Sequence, residues 1–447
     1  MKKINLLAIL MMFTMMVPLM SALRNEDSLI KYEDLTRKEK TYNIKVVPYE
    51  YKYGKKVING YRYIDLATNK EAKIVANKGE KLTINVKNET NVNVTNVHWH
   101  GLKVPNKEDG PMVVIKKGET YTYNFVVPDT GTYWYHSHAR PVRDQVDEGM
   151  FSTFVILDEK EKAYNQDLLF VLDDVGGKEL LMENSNLHMM EIVGDIKTIN
   201  GIETKEFPQV EVIKGERIKL RFLNASTAET QNLRLSKHEF IVTHLDGVAL
   251  NKSYKTKKIQ MYPGQRVDAE LVLDQSDEEI KNSTGSSIKL HYLSGEVKTP
   301  KSPFVGGQSK KLVDSKNFKP NRTIVLNSKM DHSKANMTIW TIDNKEFPEV
   351  EPVKIKKGET YYLRIQNNDT KNMHPMHHPI HLHGAHFQVV SVNGKEPEVL
   401  EFRDTVNVPA GGYVDIAFKI EEKGNWMLHC HILDHEDGGM MMHVEVI

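Results

Sequence analysis

The sequence predicts an all-β protein made of three consecutive β-sandwich domains. This prediction rests on two repeated patterns and on a strand-like alternation of apolar residues. In the first pattern, Lys-Gly-Glu precedes alternating apolar residues and then Asn, and its copies begin at Lys78, Lys214 and Lys357. Their glycines lie 136 and 143 positions apart. A chain of 447 residues is long enough for three domains of this size.

A second pattern, a glycine turn leading into an alternating strand, has nearly the same period. Its copies cover residues 118–127, 264–273 and 411–420, and their glycines are 146 and 147 positions apart. Alternating apolar and polar residues in these copies are typical of half-buried strands. Domains built from short strands of this kind favour Greek-key β-sandwiches. We therefore expect domains at 40–160, 161–310 and 311–447.

The first 22 residues have the composition of a secretory signal peptide. Lys2 and Lys3 precede an almost wholly apolar stretch, and Ser21-Ala22 offers a small-residue cleavage site. We expect an exported protein, periplasmic or extracellular, with no membrane attachment after cleavage. The alternative is an uncleaved anchor, although the stretch is near the lower length limit for a span.

Overall charge argues against nucleic acid as a partner. The chain has 60 basic and 60 acidic residues, so it has no net basic surplus to attract phosphate. We expect a small-molecule or ion substrate and a monomer.

Histidines are concentrated in pairs at the two ends of the chain. About one His-x-His pair is expected by chance at this histidine content, and the sequence has four: His98/His100, His136/His138, His381/His383 and His429/His431. Residues two apart on a strand share a face, so each pair can offer two imidazoles to metal. Because two pairs lie in the first domain and two in the last, we expect the site at the seam between these domains.

The single cysteine, Cys430, lies between His429 and His431. It cannot form an internal disulfide, so it is either an inert buried thiol or a reactive one. On a strand its side chain points away from both imidazoles, which predicts a second metal joined to the first site by a few covalent bonds. His378, His435 and Met440 complete a His₂Cys set with a weak thioether, the ligand set of blue-copper sites. Zinc has no redox chemistry that could use such a connection.

These segments together resemble the four copper motifs of the multicopper oxidases, which include laccases and bacterial cuprous oxidases. The motifs are His98-Trp99-His100-Gly101, His136-Ser137-His138, 378–384 and His429-Cys430-His431 with His435 and Met440. The resemblance implies cupredoxin-like domains and four copper ions. The implied type 1 ligands are His378, Cys430, His435 and Met440, and the implied type 2 ligands are His98 and His381. The implied type 3 ligands are His100, His136, His138, His383, His429 and His431.

Acidic residues near the motifs resemble those of the cuprous oxidases. Glu436 and Asp109 occupy the positions of the residues that relay protons for O2 reduction in that subgroup. Reducing O2 to water takes four protons as well as four electrons, and buried carboxylates are suitable relays. Asp404 resembles a family position near the type 1 site, and we expect it to orient a ligand.

The implied substrate is a reductant that gives up one electron at a time, and Cu(I) is expected because of the subgroup resemblance. Met376 matches a methionine of the subgroup's substrate copper site, with Met330 and Asp331 as further candidate ligands, whereas His374 replaces an expected acidic residue. Fe(II) remains open as a substrate. The alternatives are a laccase-like oxidase of phenols or aryl amines, a non-catalytic copper store, and a two-domain nitrite reductase.

Overall fold

The computed structural model describes residues 25–26, 28–32, 34–177, 193–274, 276–330, 338–370 and 376–447, with Met330 described by its main chain only. The expected signal peptide, Asp331 and His374 lie outside these residues. Strands make up 51% of the described residues and helices 6%.

The first domain contains ten strands in the described residues. They are β1 Glu39–Tyr53, β2 Lys56–Asp65, β3 Lys70–Glu71, β4 Ile74–Asn77, β5 Lys81–Asn88, β6 Val94–Thr95, β7 Ile115–Lys116, β8 Thr120–Val126, β9 Gly131–His136 and β10 Phe151–Leu157. The sheet orders are β3-β2-β1-β5-β8, β4-β10-β9 and the short pair β6-β7. Helix α1, Val142–Asp147, and a 3₁₀ turn, Asn106–Glu108, lie between strands.

The middle domain follows a 3₁₀ turn at Glu159–Ala163 and forms two larger sheets. Its strands are β11 Gln166–Val175, β12 Ile196–Ile199, β13 Ile202–Glu203, β14 Val210–Lys214, β15 Arg217–Asn224, β16 Gln231–Arg234, β17 Phe240–Leu245, β18 Val248–Thr256, β19 Lys258–Met261, β20 Arg266–Val272, β21 Glu278–Asn282 and β22 Ser287–Glu296. The sheet orders are β13-β12-β11-β15-β20-β17-β18 and β14-β22-β21-β16-β19.

The last domain follows a 3₁₀ turn at Ser315–Asn317. Its strands are β23 Arg322–Met330, β24 Thr338–Ile342, β25 Val353–Ile355, β26 Tyr361–Asn367, β27 His378–Leu382, β28 Phe387–Val392, β29 Phe402–Arg403, β30 Thr405–Val408, β31 Tyr413–Phe418, β32 Gly424–Cys430 and β33 Met441–Val446, with helix α2, Leu433–Asp437, before β33. The sheet orders are β24-β23-β26-β31-β28-β29 and β25-β33-β32-β27-β30.

The same strand pairings recur in all three domains. Parallel pairs join β1 to β5, β11 to β15 and β23 to β26 in one sheet of each domain. In the second sheet, parallel pairs join β4 to β10, β14 to β22 and β25 to β33. Each domain buries its own apolar core. The prediction of an all-β chain of consecutive β-sandwiches is confirmed.

The Lys-Gly-Glu pattern has a clear local cause. Gly79, Gly215 and Gly358 all adopt positive φ, between +73° and +85°, a conformation that favours glycine. The buried Glu80 carboxylate accepts a hydrogen bond from Asn77 N at 2.8 Å, and Glu216 accepts one from Ile213 N at 2.9 Å. The first two repeats therefore begin with a tight turn closed by their own glutamate, whereas Glu359 of the third repeat is exposed. None of the helices in the described ranges is long and apolar enough to span a membrane.

Candidate metal centres

The four histidine pairs converge where the first domain meets the last. In the last domain, β27 lies beside β32 and His381 faces His429 in the register. In the first domain, His98 and His136 form an isolated bridge. Across the seam, His98 Nε2 lies 3.3 Å from His381 Nε2, and His138 Nε2 lies 3.4 Å from His429 Nε2. Segments almost 300 residues apart thus enclose one histidine cluster, as the sequence predicts.

Most of these imidazoles have one ring nitrogen bonded to an oxygen acceptor of the protein. Through Nδ1, His98 faces Asp109 O at 3.0 Å, His136 faces Ser137 O at 2.9 Å, and His381 faces Asp404 O at 3.0 Å. Because a carbonyl oxygen can only accept, the proton is on Nδ1 and the lone pair is on Nε2. The protein therefore fixes which nitrogen of each ring is available for metal.

His100 faces its protein acceptor through Nε2, not through Nδ1. Its Nε2 lies 3.1 Å from the Asp404 carboxylate, and its buried Nδ1 has no hydrogen-bond partner within the described residues. Within the same ranges, His136 Nε2 and both ring nitrogens of His431 also have no hydrogen-bond partner. Leaving a polar atom buried and unbonded costs about 1–3 kcal/mol. These nitrogens fit a set of metal ligands, because metal coordination would remove this cost.

Burial favours the neutral, ligating form of most of these histidines, whereas at His429 the Glu436 carboxylate outweighs burial and raises the pKa. Desolvation, with neighbouring imidazoles, lowers the pKa of His136, His383 and His431 well below the usual value, and desolvation lowers that of His381 to about 4. Neutral imidazole is the form that binds metal. The ligand atoms of His138, His383 and His429 lie within 4.8 Å of one another.

The second centre lies on the opposite side of β32. Cys430 Sγ lies 3.5 Å from His435 Nδ1 and 3.7 Å from His378 Nδ1, and the two imidazole nitrogens are 3.1 Å apart. These side chains are fully buried. Met440 lies in the same core cluster, and its carbonyl accepts a hydrogen bond from Cys430 N at 3.0 Å. A thiolate and two imidazoles fit copper, and the Met440 thioether would complete a blue-copper ligand set.

The ligands of the second centre are contacted by two residues that were not predicted from the sequence. The Trp340 ring stacks on His435 with a centroid separation of 3.6 Å and an interplanar angle of 26°. Asp369, itself buried, places Oδ2 3.6 Å from His378 Nε2. An acidic group therefore does lie beside His378, but it comes from the end of β26. No local pattern in the sequence points to either residue.

Met376 is the one candidate substrate ligand whose side chain is described. It is half-buried against the core of the last domain, and its backbone N–H donates to Asp369 O at 3.4 Å. Asp331 and the Met330 side chain lie outside the described residues.

The two predicted proton-relay carboxylates lie against ligands of the histidine cluster. Asp109 Oδ2 lies 2.7 Å from His383 Nδ1. Glu436 lies 3.0 Å from His429 Nδ1 and 3.3 Å from His138 Nε2. Burial alone would raise the pKa of the Glu436 carboxyl, but His429 and His138 hold it below its usual range. An ionised carboxylate that touches a ligand can accept and return a proton.

The two short helices fix the position of Glu436 relative to the first domain. The Asp437 carboxylate accepts hydrogen bonds from Val142 N and Arg143 N at the start of α1, both at 2.9 Å. Arg143 Nη1 also lies 3.2 Å from Asp434. These contacts hold helix α2, which contains Glu436, against helix α1 of the first domain.

Asp404 contacts the histidine cluster rather than the thiolate centre. Its carboxylate meets His100, and its carbonyl oxygen meets His381. The expected location near the type 1 site is therefore wrong, whereas the expectation that Asp404 orients a ligand agrees with these contacts. Burial would raise the pKa of the Asp404 carboxyl, but Arg266 and His100 hold it well below its usual value.

Comparison with known proteins agrees with this geometry. Multicopper oxidase family models match residues 317–447, 69–161 and 125–280. The multicopper oxidase mco of Staphylococcus haemolyticus is 32% identical over 388 residues, covering 83% of this chain and 80% of that protein.

Two solved structures are similar along most of the chain. A multicopper oxidase from Campylobacter jejuni, described as a metallo-oxidase, is 25% identical with a TM-score of 0.76 and covers 94% of both chains. A laccase from Pediococcus acidilactici is 25% identical with a TM-score of 0.77, covering 94% of this chain and 91% of that one. These neighbours confirm the predicted cupredoxin-like fold. The chain belongs to the multicopper oxidase family, whose members use copper to couple oxidation of a reducing substrate to reduction of O2.

Proposed function

We propose that this protein is a metallo-oxidase that takes single electrons from Cu(I) or Fe(II) and passes them to O2. The observation that carries the proposal is the pairing of a buried histidine cluster with a thiolate centre on opposite sides of β32. In this proposal, His98 and His381 hold the type 2 copper. The ligand sets of the type 3 pair are His138, His383 and His429 for one ion, and His100, His136 and His431 for the other. The type 1 set is His378, Cys430, His435 and Met440.

Copper at these positions would supply one-electron acceptance at the thiolate centre and four-electron reduction of O2 to water at the histidine cluster. The protein supplies the connection, because Cys430 is covalently continuous with His429 and His431. Glu436 and Asp109 accept protons and pass them on to atoms next to the cluster. The buried surroundings exclude bulk water from both centres.

Two features beside the thiolate centre support a metal ion as the reductant. The Asp369 carboxylate and the Met376 main chain lie together next to His378, so a cation can be attracted close to a ligand. Trp340 covers the face of His435, where an aromatic substrate would otherwise stack. The resemblance to a metallo-oxidase favours the same class of substrate. The laccase-like alternative is supported by the equally similar Pediococcus laccase.

Steady-state rates with Cu(I) and with a substituted phenol, measured on the same copper-loaded sample, test the choice of substrate. We expect the larger kcat/KM with Cu(I). Met376→Leu, a change of similar volume, should raise the KM for Cu(I) several-fold because the thioether is lost, while leaving phenol oxidation unchanged. Met112→Leu, at an exposed methionine elsewhere, is the matched control. Phenol turnover far above Cu(I) turnover would contradict the metallo-oxidase proposal and favour a laccase.

Removing the Trp340 indole should open the thiolate centre to aromatic reductants. Trp340→Ala is expected to raise kcat/KM for a substituted phenol about tenfold, equivalent to about 1.4 kcal/mol of transition-state binding. Trp340→Phe keeps an aromatic ring over His435 and should stay close to the wild-type value. If Trp340→Ala keeps its blue colour but shows no increase in kcat/KM for the phenol, Trp340 does not exclude phenols.

We further propose that the protein is exported and acts as a monomer outside the cytoplasm. The amino-terminal sequence supports this, since Lys2 and Lys3 precede an apolar stretch and a small-residue cleavage site. Oxidising Cu(I) there would contribute to copper homeostasis and tolerance.

A further inference from the structure

The middle domain supplies none of the predicted copper ligands, yet one of its side chains reaches the histidine cluster. Arg266, the first residue of β20, is fully buried. Its Nε donates to Thr132 O of the first domain at 3.1 Å, and its Nη1 donates to Gly264 O at 3.0 Å. Its Nη1 and Nη2 donate to the two carboxylate oxygens of Asp404 in the last domain at 2.9 and 2.6 Å. One guanidinium therefore joins all three domains.

The carboxylate that Arg266 holds is the one that orients His100. Asp404 Oδ1 accepts from His100 Nε2 at 3.1 Å and from Thr405 Oγ1 at 2.9 Å. The main-chain oxygen of Asp404 meets Nδ1 of His381, whose ring stacks on His100 with a centroid separation of 3.7 Å. Asp404 thus binds both rings of a stacked pair, one through its side chain and one through its main chain.

This arrangement gives the two rings opposite tautomers. His100 carries its proton on Nε2 because that atom faces a carboxylate, which leaves Nδ1 as its metal-binding atom. His381 carries its proton on Nδ1 and is left with Nε2. The buried Nδ1 of His100 has no hydrogen-bond partner within the described residues, which agrees with its assignment as the metal-binding atom.

Close packing leaves the Arg266–Asp404 pair little freedom to move. A Cβ at Gly101, directly after His100, would overlap both Arg266 Nη2 and Asp404 Oδ2. At Gly264 a Cβ would come within 2.9 Å of the His431 ring. The middle domain is therefore packed directly against one proposed ligand and connected to another through hydrogen bonds.

We propose that Arg266 is a positioning residue for the trinuclear copper site, and that the chain Arg266–Asp404–His100 selects Nδ1 of His100 as the ligand atom. This inference rests on the proposed function. The middle domain then has a chemical role as well as a structural one, because the tautomer of a ligand depends on it. Partners that orient metal ligands in this way typically affect metal affinity by about 10–100-fold.

The test replaces Arg266 by Met, which keeps an unbranched side chain and removes the guanidinium with its hydrogen bonds. Copper content, the electron paramagnetic resonance signal of the type 2 copper and the near-ultraviolet absorption of the type 3 pair are measured on protein loaded with Cu(II). We expect the blue type 1 colour to remain, the histidine cluster to bind copper about 10–100-fold more weakly, and the type 2 signal to change. Arg266→Lys, which keeps the charge, should recover part of the signal.

Arg221→Met is the matched control. Arg221 is equally buried in the same sheet and holds Asp167 through Nε and Nη2, both at 2.7 Å, without touching a proposed ligand. It should lower stability while leaving the copper signals unchanged. Should Arg266→Met fail to fold, the near-isosteric Asp404→Asn carries the same expectation.

Wild-type copper content and signals in Arg266→Met or Asp404→Asn would overturn the inference, as would an equal change in Arg221→Met. A wild-type protein that binds no copper at the histidine cluster would instead overturn the proposed function, so the two failures are distinguishable.

Discussion

Replacing Cys430 by serine is expected to remove the blue colour and to abolish oxidase activity. The thiolate is the ligand that defines a blue-copper site, and a serine hydroxyl is a poor substitute for it. Cys430 is also bonded through the main chain to His429 and His431. Electrons that reach its sulfur can therefore pass along a few covalent bonds to either imidazole of the histidine cluster. We expect activity to fall about a thousandfold or more, as for residues on which the chemistry depends. Absorption spectra and O2 uptake measure both effects.

The histidine cluster should keep its copper in the serine variant, because Cys430 Sγ points away from it. Copper analysis would therefore give one ion fewer than in the wild type. Ile380→Val is the control, since Ile380 lies opposite Cys430 on β27 and the change costs about 0.5–1.5 kcal/mol without removing a ligand. A serine variant with wild-type colour and turnover would contradict the assignment of Cys430.

Glu436→Gln is expected to slow O2 reduction by about a hundredfold while leaving oxidation of the reductant intact. A glutamine fills the same space next to His429 and His138, but it cannot accept and return a proton. Positioned acid–base groups contribute about 10²–10⁴ to rate. Under anaerobic conditions the blue colour should bleach at the wild-type rate, and after admission of O2 it should return slowly. Stopped-flow absorption separates the two half-reactions.

Asp434→Asn serves as the control for this variant. Asp434 lies on the same helix but pairs with Arg143 rather than with an imidazole. Its replacement should change stability and leave reoxidation at the wild-type rate. If Glu436→Gln reoxidises as fast as the wild type, the carboxylate does not relay protons.

The fold could be predicted because its determinants are local and repeated. Each Lys-Gly-Glu copy makes a turn that needs a positive-φ glycine, and alternation along β5 matches its burial, residue by residue. Sheet order was not readable in the same way, because pairings such as β1 with β5 depend on contacts between distant segments.

Much of the candidate site was visible for a similar reason. Strand geometry puts His429 and His431 on one face and Cys430 on the other, so the motif already contains the two-centred arrangement. Arg266, Asp369 and Trp340 were not predicted, because each contacts a ligand or its partner from a different strand or turn. For Arg266 the sequence offers only a charged residue near the start of a predicted half-buried strand, and its partner Asp404 is 138 residues away.

The most direct test of the central claim is an anomalous diffraction map recorded at the copper absorption edge on crystals of the copper-loaded protein. We expect four peaks. Three should lie among the imidazoles that join the first domain to the last, and one should lie beside Cys430 Sγ. A map with no peak at that seam, or with copper bound only at surface histidines, would contradict the assignment of both copper centres.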